Sequence, residues 1–183
     1  MAPTADSSDT KFRTLFDVLL GDVRESLDNF IHNSESPFLR RVYIRSIFAF
    51  IEAMVYRMKQ AALLRAVGGN PAGTAAEIAL LREETYDLDG KGEARARPKF
   101  LKAIENLKFA VKMYSRYYNA NYAFQARGKG WDDFVLAVAI RNRLTHPKTD
   151  TDVHVSDADL LTVQNAYEWF KQLTIELLPL PPA

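Results

Sequence analysis

The spacing of its apolar residues constrains this chain most. They recur at three and four positions over almost the whole length. Only an α-helix brings residues with that spacing onto one face, so the pattern predicts an all-α protein. Phe12, Leu15, Phe16, Leu19, Val23, Leu27, Phe30 and Ile31 predict one amphipathic helix over 9–32. Ser36-Pro37 then supplies a capping hydroxyl and a proline at the first helical position. The helix it opens runs to about Ala66. Its apolar positions, from Phe38 and Leu39 through Ile44, Ile47, Phe48, Ile51, Met54, Val55 and Met58 to Leu64, nearly encircle it. Such a helix is expected to be buried on most sides, covered by the other helices and by a second subunit.

Gly68-Gly69-Asn70-Pro71 stops the second helix. Thr74 and Glu77 have capping-box spacing and predict a helix to about Tyr86. Asp89-Gly90-Lys91-Gly92 with Arg95, Arg97 and Pro98 reads as a charged loop. Pro98 opens the next predicted helix, with Phe100, Leu101, Ile104, Leu107, Val111 and Tyr114 on one face. This helix fades in the tyrosine-rich stretch from Tyr117 to Gln125, and Gly128 and Gly130 punctuate the chain there. Trp131 to Thr145 is helical again, with Asp132 and Asp133 where the dipole favours negative charge. Ser156 and Asp159 resemble a capping box for a last helix to about Leu178. No run alternates cleanly with period two, so no sheet is expected. The predicted architecture is an antiparallel, up-and-down bundle of four to six helices, one domain over 9–178. A disordered polar tail (1–8) precedes it and a proline-rich tail (179–183) follows.

With 183 residues, a single self-sufficient core fits the size. Cysteine is absent, which excludes disulfides, thiolate metal sites and cysteine nucleophiles. Lys+Arg 24 against Asp+Glu 23 leaves a net charge of +1, which argues against wholesale adhesion to nucleic acid or membrane but permits a local basic patch. The most apolar run, Val42 to Val55, is interrupted by Arg45, Ser46 and Glu52 and is too short for a bilayer span. Met1 to Ser8 lacks the basic start and apolar stretch of a signal peptide. A soluble, cytoplasmic protein with no membrane partner is expected.

One constellation could carry chemistry. Ile140-Arg141-Asn142-Arg143-Leu144-Thr145-His146-Pro147-Lys148 ends an apolar helix with two guanidiniums, an amide, a hydroxyl and an imidazole. Pro147 disfavours helical geometry at His146, which should therefore sit at the helix C-terminus. Asn142 and Arg143 lie four and three residues before it and can share its face. Two arginines can clamp a phosphodiester, and a histidine near neutral pKa can accept or donate a proton. Neither a metal nor another cofactor is needed.

The motif Arg141-Asn142-x3-His146 resembles the signature of the HEPN superfamily (higher eukaryotes and prokaryotes nucleotide-binding domains). Its members are small helical bundles with an arginine and a histidine separated by four to six residues, often with Asn, Asp or His after the arginine. The helix order also fits, with two long helices first and one closing helix after the motif. The resemblance implies a metal-independent endoribonuclease that works as a homodimer, with two motifs meeting across a two-fold axis. It implies His146 as general acid/base, Arg141 as stabiliser of the phosphate's developing charge, and Asn142 as a group that orients the phosphate or His146. Arg143 and Lys148 would add substrate contacts, on position alone. RNA is the implied substrate. An antitoxin or regulatory protein is the implied partner, in a toxin–antitoxin or phage-defence system. The alternative is a non-catalytic helical module that binds nucleotide, RNA or protein, as an antitoxin-like partner or scaffold.

A second polar stripe runs along the second helix through Arg41, Arg45, Glu52 and Lys59. Glu52 has apolar sequence neighbours, so a buried carboxylate paired with Arg45 or with a motif arginine is expected, supporting Arg141 or Arg143. A structural ion pair is favoured over a catalytic role. For Tyr114, Tyr117, Tyr118, Tyr122 and Phe124, packing is favoured over base stacking. His32 and His154 are expected to be solvated. The basic stretch from Lys91 to Lys99 is expected to be a solvated loop, within reach of a phosphate.

Overall fold

The structure, a computed structural model, describes the backbone of residues 5–177 and the side chains of residues 14–177. It is mostly helical, as the apolar spacing predicts. The elements are α1 (Ala5–His32), α2 (Pro37–Gly68), α3 (Ala75–Leu81), β1 (Glu84–Leu88), β2 (Ala94–Pro98), α4 (Ala103–Tyr118), α5 (Lys129–Thr145) and α6 (Asp157–Leu177), with a 3-10 turn at Thr151–Val153. The helix start at Ala5 places residues 5–8 in α1 rather than in a tail. The rest of that tail, and the proline-rich end at 179–183, lie outside the described residues. The sequence reads as one bundle over 9–178, whereas the described residues group into two compact units. One comprises the chain up to Met54 together with that from Ala126 onward, and the other is Val55–Gln125.

Local chemistry sets the helix starts. Ser36 Oγ accepts from Leu39 N–H at 3.4 Å ahead of Pro37. Thr74 and Glu77 form a complete capping box, each side chain accepting from the other's backbone N–H. Ser156 and Asp159 do the same for α6, at 3.1 and 2.8 Å. In the first unit, α2, α5 and α6 bury Ile44, Ile47, Ile51, Phe134, Leu144 and Phe170 almost completely. Gly130 is needed for close approach, because a Cβ there would lie 2.3 Å from Trp169 Cδ1. The helix α2 is not encircled: Arg45, Ala49, Glu52 and Tyr56 form an exposed stripe along it.

The second unit departs from the expectation of an all-helical chain. The third helix ends at Leu81 rather than near Tyr86, and the charged stretch is a β-hairpin rather than a loop. The strands β1 and β2 pair antiparallel, with Tyr86 opposite Ala96 and Asp87 opposite Arg95. Asp89 closes the turn by accepting from Lys91 N–H at 2.8 Å and Glu93 N–H at 3.0 Å. Those backbone bonds hold its carboxyl below the ordinary carboxylate value. Helix α4 begins at Ala103, five residues past Pro98.

In the same unit, Ala62, Ala66, Leu81 and Met113 form a small core, with Ile78, Phe109 and Tyr117 packed on it. Lys59 is wholly buried there and its ammonium meets the Glu83 carboxylate. Glu83 takes a left-handed conformation, φ 57°, where α3 turns into β1. That conformation is disfavoured for a residue with a Cβ, and the ion pair holds it.

Candidate functional site

Helix α5 places the motif. Its backbone ends at Thr145, and His146 forms the C-cap with φ −128° and ψ 60°. The His146 N–H donates to Asn142 O at 3.0 Å, and Pro147 prevents another helical turn. The imidazole is exposed, and among the described residues no group hydrogen-bonds its ring. Thr145 Oγ1 donates back to Arg141 O at 2.9 Å.

Arg141 lies between two acceptors. One guanidinium nitrogen donates to Asn142 Oδ1 at 3.1 Å, and another meets the Glu52 carboxylate on α2. The expected burial of Glu52 is therefore corrected. Its side chain is 48% exposed, because helical rotation puts it on the outward stripe of α2 although Ile51 and Met54 point inward. Its partner is Arg141. Arg45 instead donates to Leu144 O at 3.0 Å and so caps the last turn of α5, where carbonyls carry the negative end of the dipole.

Arg143 is half-buried and held by three acceptors. It donates to Asp152 O at 2.8 Å and His154 O at 2.5 Å, and pairs with Asp159 at 2.8 Å. Burial pushes the Asp159 carboxyl up, but bonds from Ser156 and the Arg143 guanidinium outweigh it and hold it below its ordinary value. Position in the sequence assigned Arg143 a substrate contact, whereas its contacts here tie α5 to the 3-10 turn and the start of α6. Lys148 donates its backbone N–H to Asp152 Oδ2 at 2.8 Å, and its side chain is exposed. That bond and one from Thr149 hold Asp152 below its ordinary value.

The structure thus brings Arg141, Asn142 and Glu52 into one hydrogen-bonded chain at the C-terminal end of α5, with His146 exposed as the cap. It adds Arg40 and Arg41 as supports, which donate to Val155 O and Val153 O, both at 3.3 Å. Sequence reasoning missed Arg40 and placed Arg41 only in a polar stripe, because their acceptors lie over 100 residues away. Three of the aromatic residues pack: Tyr114 stacks on Tyr118 at 4.6 Å, Tyr118 donates to Ala61 O, and Tyr117 lies against the small core. Among the described residues no group of three or more His, Asp or Glu side chains is gathered as a metal site would need. No helix among them is long and apolar enough to cross a membrane.

Nothing matches this chain among protein-family models, curated proteins or solved structures.

Proposed function

We propose that this chain is a metal-independent endoribonuclease of HEPN type, acting in the cytoplasm as a two-fold dimer of antiparallel helical bundles. The supporting observation is the exposed, unbonded imidazole of His146 one helical turn from the Arg141–Asn142 pair, on a helix end fixed by Arg45 and Arg143. An exposed base beside an anion-binding guanidinium suits phosphodiester transfer.

In this reading His146 of one subunit takes the proton of a ribose 2′-OH, whose oxygen attacks the adjacent phosphorus. Arg141, oriented by Asn142 and Glu52, offsets the charge growing on the phosphate oxygens. The P–O5′ bond breaks, and the partner's His146 protonates the leaving oxygen. The products are a 2′,3′-cyclic phosphate and a 5′-hydroxyl. DNA lacks the nucleophile. Lys148 adds a phosphate contact, while Arg143 serves the scaffold. The biological setting of this reading is a toxin or phage-defence effector restrained by an antitoxin.

The test is incubation of end-labelled RNA with the protein in chelator. Cleavage leaving cyclic-phosphate ends is expected for the wild type. Cleavage should be lost in His146→Ala and Arg141→Ala, with the helical circular-dichroism signal and oligomeric state kept. A His146 variant that cuts equally well refutes the reading. A second reading, a non-catalytic binding module, is favoured by the engagement of Arg143 and by the pairing of Arg141 with Glu52. It predicts RNA or protein binding without cleavage.

A further inference from the structure

The hairpin unit contains a recess that the α5 site does not explain. It is shallow and open to solvent, has a volume of about 330 Å³ and is lined by Arg82, Glu83, Glu84, Arg97, Lys99 and Phe100. We propose that this recess is a binding site for single-stranded nucleic acid, taking a base on the Phe100 ring and phosphates on Arg82, Arg97 and Lys99.

The Phe100 ring carries the first part. It is 95% exposed, the barest large apolar side chain among the described residues. It therefore contributes little to the fold, while a ring in water offers a stacking face to any base. Charge carries the second part. Glu83 is neutralised by Lys59, and Glu84 accepts from the Tyr86 hydroxyl at 2.7 Å. The wall thus keeps three cations against one carboxylate. Arg97 meets Asp87 through Nε at 3.0 Å, but both side chains are more than half exposed. Such a pair is weak and yields to a phosphate. Spacing carries the third part. Arg95 and Arg97 hold alternate positions of β2 and Lys99 follows two residues on, so successive cations rise by about 7 Å, the scale of one extended nucleotide; Arg95 also pairs with Asp89 at 2.7 Å, with its side chain mostly exposed. Lys102 continues the basic run. A purely acidic peptide could use the cations but has no side chain to stack on the bare ring.

Ring and cations read only a base face and a phosphate, so ribose and deoxyribose strands should bind alike. The choice of RNA as the biological ligand rests on the ribonuclease reading. The experiment uses the full chain with fluorescein-labelled oligodeoxythymidylate, and the His146→Ala chain with oligouridylate, so that neither probe is cut. Phe100→Ala should weaken both by about tenfold or more. Phe100→Trp should restore binding. Arg97→Gln and Lys99→Gln should each lower the slope of log affinity against log salt by about 0.7. Equal affinity of wild type and Phe100→Ala overturns the proposal. So does displacement by polyglutamate of a probe that Phe100→Ala still holds, which would mark an acidic-peptide site. Loss of RNA cleavage in the wild type with oligomer binding intact would refute the ribonuclease reading alone.

Discussion

Replacing Arg143 separates a scaffold role from a substrate contact. Arg143→Ala removes a guanidinium that donates to two backbone carbonyls and one carboxylate. A hydrogen bond from a charged donor contributes about 1.5–3 kcal/mol when buried. Here the arginine and aspartate side chains are 27% and 22% exposed, so water replaces part of what is lost. Three such contacts, discounted in this way, imply a loss of about 2–3 kcal/mol. For a chain of this size that lowers the melting temperature by roughly 5–10 °C. Asp159 adds a pH signature. Its folded-state pKa is lowered, so its contribution is complete above the unfolded value of about 3.9 and is lost as pH falls through the folded value. The stability gap between wild type and Arg143→Ala should therefore narrow on acidification below about pH 4. Thermal melts followed by circular dichroism at stepped pH measure both. A variant that melts like the wild type, yet fails to bind or cut RNA, would refute the scaffold role and restore the substrate contact.

Other consequences can be measured in the same way. Glu83→Gln leaves the buried Lys59 ammonium without a counter-ion and should cost about 2 kcal/mol in urea denaturation, discounted because Glu83 is 42% exposed. Lys59→Met should be neutral or stabilising, and in that background Glu83→Gln should cost less than about 0.5 kcal/mol; additive costs would sink the pairing. The Arg116 hydrogen bonds, first among several causes, bring Glu77 from the ordinary 4.5 down to about 2. Its contribution is present above pH 4.5 and disappears toward pH 2, so wild type should lose more stability than Arg116→Gln over that window. Parallel pH profiles of the two proteins would contradict this.

What the sequence disclosed was mostly local. Capping pairs three residues apart, Thr74 with Glu77 and Ser156 with Asp159, involve no distant partner and fall where expected. The hairpin was hidden for a physical reason. Its strands do alternate, Thr85 and Asp87 against Tyr86 and Leu88, and Arg95 and Arg97 against Ala94 and Ala96. But its apolar face is small and exposed, so it leaves no core signature, and its charges read as a loop. Lys59 shares a stripe with Arg45 and Glu52 in the sequence, yet it is buried because Glu83 arrives from another element. Arg143 resembled a phosphate ligand because nothing local shows that the chain returns three acceptors to it.

The distribution of cations around α5 also bears on why a site here would need two subunits. Arg40, Arg41, Arg45 and Arg143 all donate to the connection from Leu144 to Asp159. They hold the chain on either side of His146 and give its ring a fixed base. The cations that the proposed reading assigns to substrate are Arg141 and Lys148. The Arg141–Glu52 pair is half open to water, where an ion pair adds little, so a phosphate can compete for the guanidinium. Two cations and one imidazole can hold one phosphodiester. They cannot supply both a base for the attacking hydroxyl and an acid for the leaving oxygen. Duplication across a two-fold axis would provide the second imidazole and double the charge. Monomeric protein that cut RNA at a rate per molecule independent of protein concentration would remove that need for pairing.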